Sequence, residues 1–171
     1  MKTPQYINAN GRLMDLSEPQ VMGILNVTPD SFYAGSHGVT EGYIIDRIHQ
    51  IMNEGASIID IGACSTRPGA DEVSIEEEMS RLRMGLELIR KHRPEAIVSV
   101  DTYRADVAKM CVEEYGAAII NDISAGQMDE QMFPTIARLG IPYIIMHMKG
   151  TPKDMQMNPQ YDHFLKEVFY Y

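Results

Sequence analysis

The chain has 171 residues, 44% of them apolar, which suits a single domain over 1–171 with a real core. A formal net charge of −9 and a pI near 4.9 argue against a nucleic-acid backbone as the main partner. An anionic substrate then needs a local basic site or a metal inside an acidic field.

No apolar run approaches the ~20 residues that cross a bilayer. Two cysteines, Cys64 and Cys111, with no CxxC pair and no signal peptide, fit a reducing cytoplasm. Residues 6–16 read as a β-hairpin around Asn10-Gly11, the preferred pair for a type I′ turn, and it is placed to cover one end of the fold. Residues 21–27 are an apolar run too short for a helix, hence a buried strand that delivers Asn26. Thr28-Pro29 stops it, because proline has no N–H and restricts the residue before it. Asp30-Ser31-Phe32 and the small residues 34–38 read as a mobile loop. A helix starts near Thr40, with Ile44, Ile45, Ile48, Ile51 and Met52 on one face and Gly55 at a left-handed cap.

The same grammar recurs. A second strand, 57–62, runs into Cys64-Ser65-Thr66-Arg67-Pro68-Gly69. Ser74 with Glu77 opens the next helix as a capping box, its stripe is Met79, Leu82, Leu86 and Ile89, and Pro94 ends it. A third strand, 96–101, places Asp101 at its end; the helix after it starts near Arg104, buries Val107, Met110 and Cys111, and stops at Gly116. A fourth strand, 117–122, ends on Asn121 and Asp122, followed by a helix over 130–139 that stops at Gly140. A fifth strand, 142–147, ends in His147, and a last helix begins near Tyr161. Successive strand–loop–helix units mean parallel strands with helical crossovers, so the class is α/β. Both an open doubly wound sheet and a (β/α)8 barrel fit. No GxGxxG follows the first strand, which weakens a dinucleotide-binding sheet, while a barrel has ~250 residues and eight units where this chain shows five.

Asn26, Asp60, Asp101 and Asn121 stand at strand ends that converge on one face in either layout. An unpaired buried polar group costs ~1–3 kcal/mol. Any one of the four also reads as a satisfied cap or turn residue, but together they point to a polar pocket. Paired carboxylate and amide groups suit a planar heterocycle with ring N–H donors and a carbonyl. Asn26 with Asp30 offers oxygen ligands for Mg²⁺, which takes few protein ligands besides water and phosphate oxygens; the other reading is that Asp30 caps its own turn. Ser65–Gly69 offers hydroxyls and a guanidinium to a carboxylate or phosphate, or is an ordinary surface turn. Alternation turns either Met146 or His147 inward, and the reading preferred here has Met146 in the pocket wall and His147 packed behind it. Cys64 lacks a nearby histidine or helix start to lower its pKa. His37, His49, His92 and His163 are expected to face solvent, and the 13 methionines to fill the core.

NVTPDSF (26–32), STRPGA (65–70), SVDTYR (99–104), INDIS (120–124) and MHMKGTP (146–152) resemble the dihydropteroate synthase family, in its order and spacing. The resemblance implies a (β/α)8 TIM barrel of the pterin-binding type, of which this chain holds about the first five βα units and an N-terminal hairpin. It also implies a homodimer, a transferase in folate biosynthesis and a target of sulfonamides; the charge, hydropathy and cysteine usage above are what speak for the cytoplasm and against nucleic-acid and membrane partners. The family joins p-aminobenzoate to 6-hydroxymethyl-7,8-dihydropterin pyrophosphate, releasing pyrophosphate. Carried over by position, Asn26 is the Mg²⁺ ligand and Thr66 helps bind the diphosphate substrate. Arg67 and Pro68 shape the p-aminobenzoate pocket. Asp101 and Asn121 hold the pterin with Asp60 supporting them, and Met146 walls the pocket. Asp30 and Phe32 belong to the first loop. Asp101, Asn121 and Arg67 are the residues expected to carry catalysis.

Two departures qualify the likeness. Cys64 stands where the family usually has Glu, and the family's later pterin-site Asp, Lys-containing loop and C-terminal Arg-x-His fall beyond Tyr171. The isolated chain is therefore expected to be inactive. The competing readings are a methyltetrahydrofolate methyltransferase on the same barrel, which lacks NVTPDSF and STRPG, and a catalytically inactive pterin-binding fragment.

Overall fold

Asn10 and Gly11 have φ values of 51° and 81°, the left-handed pair that a type I′ turn requires. Around them β1 (Tyr6–Ala9) and β2 (Arg12–Asp15) pair antiparallel. The computed structural model describes residues 5–28, 40–64, 73–151, 154, 155 and 157–171.

After the hairpin come β3 (Met22–Asn26), α1 (Glu41–Asn53), β4 (Ile58–Gly62), α2 (Ile75–His92), β5 (Ile97–Asp101), α3 (Ala105–Tyr115), β6 (Ile119–Asp122), α4 (Met132–Leu139), β7 (Tyr143–Ile145) and α5 (Phe164–Phe169). The helix boundaries follow local chemistry. Thr40 and Ser74 accept from the backbone N–H three residues on, at 3.4 and 3.2 Å. The Glu77 carboxylate turns to Arg81 instead of closing the box. Gly116 and Gly140 end α3 and α4 in the left-handed conformation.

Strands β3 to β7 are all parallel, and each lies beside its predecessor in the order β3-β4-β5-β6-β7. A doubly wound sheet reverses its order partway and carries helices on both faces. Here α1 to α4 pack on one face only, where Ile44, Ile48, Leu82, Ile89, Val107 and Met132 meet Leu25, Ile61, Val100 and Ile120. Sequential order with one-sided helices is the wall of a barrel, five units of it.

The other face is the inner one. Its N-terminal end is plugged by the hairpin, since Ala9 and Met14 bury against Ile58, Ile97 and Ile119. This is the expected cover at one end. The C-terminal end of the inner face is left for polar groups.

Gly23 is a point of close packing, where β3 meets α1. A Cβ there would overlap Cγ2 of Ile51 and come within 3.4 Å of the Ala56 Cβ. Cγ2 of a β-branched residue moves only with the backbone or a χ1 flip. Overpacking costs about 1–3 kcal/mol, more than the ~0.5–1 kcal/mol an alanine recovers in backbone entropy. Gly23→Ala is therefore expected to lower the urea midpoint, with an unchanged or higher midpoint contradicting the packing.

Some boundaries differ from the sequence reading. Helix α4 begins at Met132, not residue 130, because the Asp129 carboxylate accepts from Gln131 N and Ala105 N at 2.9 and 2.7 Å and holds a turn there. Helix α5 begins at Phe164, not near Tyr161, because the Glu167 carboxylate accepts from Asp162 N and His163 N. The fifth strand shortens to three residues. His49 and His92 do not face solvent. They are half-buried, edge to face at 5.8 Å, with Arg93 Nε donating to His49 Nδ1 at 3.1 Å.

Candidate active site

Parallel register sets the site. Asn26 lies opposite Gly62, Gly62 opposite Asp101, and Asp101 opposite Asn121. With side chains alternating along each strand, these four share the inner face in one row across β3 to β6. Gly62 leaves a gap in that row. A Cβ there would lie 3.4 Å from Asp101 Oδ2 and 3.6 Å from Asn26 Oδ1, so the two oxygens flank a shallow floor of bare backbone. Gly62 is a site residue that the sequence reading did not single out.

One register step deeper, Ile24, Asp60 and Ser99 stand opposite one another. Asp60 and Ser99 are 5% and 0% exposed. Asn121 Nδ2 donates to Asp60 Oδ2 at 3.0 Å. That bond directs the amide nitrogen of Asn121 down to Asp60 and leaves its carbonyl oxygen as the group offered to a ligand. Asp60 Oδ1 and Ser99 Oγ are buried without a hydrogen bond of full geometry among the described residues, although the two residues stand opposite one another. Burial pushes the Asp60 carboxyl above its ordinary range, against the opposing pull of Ser99 and Asn121. Asp101 is pushed up to about 7, first by burial and then by the charges of Asp60, Glu78 and Asp122. An acid poised near neutrality in a concave polar row is a functional-site signature.

The row is anchored from the helix side. Glu78 of α2 is wholly buried; its carboxylate accepts from Thr102 Oγ1 at 2.7 Å and from Arg104 Nη1 at 2.6 Å. Arg104 also donates to the Val73 carbonyl at 2.7 Å. Thr102 N bonds the Asn121 carbonyl at 3.0 Å, so the residue after Asp101 is tied both to α2 and to β6. Asp122 points away from Asn121, toward the helices. It accepts from Ser124 N, Ser124 Oγ, Gly126 N and the Tyr143 hydroxyl, which makes it an anchor of the β6–α4 turn. The sequence reading did not single out Glu78, although its spacing of 4, 8 and 11 residues from Leu82, Leu86 and Ile89 puts it on the buried stripe, off which Glu76 and Glu77 are exposed.

Cys64 sits beyond β4, 4.0 Å from Arg104 Nη1, and burial followed by the Glu78 charge pushes its thiol up to about 12. It stays a thiol at neutral pH. Met146 is half-buried, two residues past Ile144, the partner of Asn121. His147 is also half-buried, edge-on to Tyr171 at 4.5 Å and 3.2 Å from the Tyr161 hydroxyl. Asp30, Phe32, Thr66, Arg67 and Pro68 lie outside the described residues. Among the described residues no three His, Cys, Asp or Glu side chains cluster as metal ligands. No described helix is long and apolar enough to cross a membrane.

Residues 22–171 match the model of the pterin-binding enzyme family. The chain is 46% identical over 163 residues to dihydropteroate synthase of Escherichia coli, covering 94% of this chain and 56% of that protein. It is similar to the crystal structure of Yersinia pestis dihydropteroate synthase with a sulfonamide drug complex, with a TM-score of 0.85 and 40% identity over 97% of this chain and 59% of that one. It also resembles Xanthomonas albilineans dihydropteroate synthase with 4-aminobenzoic acid, with a TM-score of 0.82 and 36% identity over 98% and 58% of the two chains. The chain thus spans just over half the length of these bacterial relatives. With its one-sided five-unit barrel wall and its strand-end row, the chain belongs to the pterin-binding enzyme family.

Proposed function

We propose that this chain carries the pterin half of a dihydropteroate synthase site. In this reading the protein condenses 6-hydroxymethyl-7,8-dihydropterin pyrophosphate with p-aminobenzoate to 7,8-dihydropteroate and pyrophosphate. The observation that carries it is the row of Asn26, Gly62, Asp101 and Asn121 on one face. The Asp101 carboxylate and the Asn121 carbonyl oxygen present adjacent acceptors, which match the amino and ring N–H groups of a pterin edge. Gly62 leaves room for a flat ring above the backbone. The similarity to structures holding a sulfonamide drug and 4-aminobenzoic acid supports a second substrate of that shape.

The amine of p-aminobenzoate is a weak nucleophile, so the reaction depends on a good leaving group and on holding the reactants in line. Asp101 and Asn121 fix the ring, and Asp60 holds the Asn121 amide in the orientation that offers its oxygen. Thr66, Arg67 and Pro68 are proposed to grip the diphosphate and p-aminobenzoate, with Arg67 supplying positive charge. Met146 and Phe32 are proposed as pocket wall.

Mg²⁺ fits the residues present. Asn26 Oδ1 stands at the exposed rim of the row beside Asp101, and Mg²⁺ needs only one or two protein oxygens when phosphate and water complete its shell. Asn26 would hold the ion, which would supply charge neutralisation to a pyrophosphate leaving group. A homodimer, a cytoplasmic location and one domain over 1–171 belong to the same proposal.

The test is pterin binding by the 171-residue chain, read by fluorescence, for wild type and Gly62→Val. Valine keeps every polar group and fills the floor between Asn26 and Asp101. Saturable binding that falls about a hundredfold in the folded variant is expected. A folded wild-type chain that does not bind pterin, or a variant that binds it equally well, overturns the reading.

A further inference from the structure

A second recess lies at the other end of the sheet, away from the strand-end row. It has a volume of about 210 Å³ and sits where the hairpin turn meets the last turns of α2 and α3 and the starts of β5 and β6. That volume is about seven waters' worth. Arg12, Arg90 and Arg93 line it together with Tyr115, over an apolar floor that includes Leu86 and Ile89. No acidic residue is in the lining, although the chain holds 24 acidic against 15 basic residues.

The three guanidiniums are differently engaged. Arg93 bonds His49 Nδ1 and Asn53 Oδ1, and its Nη1 stands 3.8 Å from Glu95. Arg12 donates to the Glu95 carbonyl. Arg90 stacks on the Tyr115 ring at 5.5 Å and makes no hydrogen bond or ion pair among the described residues. Cations at a helix C-terminus complement its dipole, which accounts for Arg90 in the last turn of α2 and Arg93 just after it. It does not account for Arg12, which comes from the hairpin. That hairpin is held at this spot by the Asn10 amide on the Gly116 carbonyl at 3.1 Å.

We propose that this recess binds a small aromatic carboxylate, with the ring on the apolar floor against Tyr115 and the carboxylate taken by Arg90 and Arg12. A planar guanidinium with unused donors favours a carboxylate over solvent, and the recess has room for one ring with its anionic group. Every wall comes from elements of this chain, so the site does not depend on the pterin reading.

The test is a ¹⁵N-amide titration of the 171-residue chain with benzoate, and with inorganic phosphate as the anion lacking a ring. Saturable benzoate shifts are expected at residues 9–12, 89–98 and 115–118, weakened about tenfold in Arg90→Gln and also in Arg12→Gln. Phosphate should shift the same amides without saturating. No saturable shift there at ~10 mM benzoate overturns the site, as does binding that both variants leave unchanged. Equal binding of phosphate overturns the aromatic assignment. Pterin binding in Arg90→Gln should match wild type, which separates this recess from the strand-end row.

Discussion

Replacing Asp101 by asparagine should flatten two pH dependences that run in opposite directions. Burial first, and the charges of Asp60, Glu78 and Asp122 next, hold the Asp101 carboxyl at about 7 against an ordinary 3.8. Such a raised value favours the folded, protonated form. Its contribution to stability is complete below about pH 4, declines as pH rises, and is gone above about 7. The whole shift corresponds to at most about 4 kcal/mol. A pterin edge that donates N–H groups wants the ionised carboxylate, so its affinity should climb about tenfold per pH unit up to 7 and then level off. In Asp101→Asn the urea midpoint at pH 8 should rise toward its value at pH 5, while pterin affinity drops about 10- to 150-fold and loses its slope. Urea denaturation at the two pH values and a pterin titration read both. A wild-type chain equally stable at pH 5 and pH 8, once Asp101→Asn proves identical to it, would contradict the assignment.

Glu78→Ala should destabilise the chain by about 3–5 kcal/mol, the cost of leaving a buried partner charge uncompensated. Glu78 is wholly buried and the Arg104 side chain is 12% exposed, at 2.6 Å. The exposed pair Arg81–Glu77 provides the internal control. It is nearly as short, at 2.8 Å, but Glu77 is 54% exposed, so Glu77→Ala should change stability by less than about 1 kcal/mol. Replacing Glu78 and Arg104 together by apolar residues should recover part of the loss. Denaturation midpoints for the three variants check this, and equal effects of Glu78→Ala and Glu77→Ala would refute a role for burial.

Most of the fold was legible because its signals are local and repeated. Short apolar runs ending in Asn26, Gly62, Asp101 and Asn121, each followed by a 3.6-period stripe, could only be parallel strands with helical crossovers. The choice between open sheet and barrel came from the family likeness of the motifs and not from the local pattern, since strand order is a tertiary fact. The sequential pairing and one-sided helices decide it. Asn26, Asp101 and Asn121 were visible as polar residues closing apolar runs; Asp60, read as a strand end, lies in the middle of β4, whose end is Gly62. The ranking of the four by depth was not visible, because only register puts Asp60 beneath Asn121. Glu78 was missed among three consecutive glutamates, although it alone of the three continues the stripe of Leu82, Leu86 and Ile89; what it pairs with was not readable, because Thr102 and Arg104 come from beyond β5. His49 on α1 and His92 at the end of α2 went the other way, as polar residues whose burial depends on the two helices meeting, with Arg93 next to His92 bonding His49.

The most direct measurement is a ¹⁵N-amide titration of the chain with 6-hydroxymethyl-7,8-dihydropterin. A flat ring seated on the bare backbone of Gly62 should produce saturable shifts at residues 26, 60–62, 99–102 and 121. Saturable binding whose shifts avoid all four strand ends, in a chain that keeps its native amide spectrum, would contradict the account.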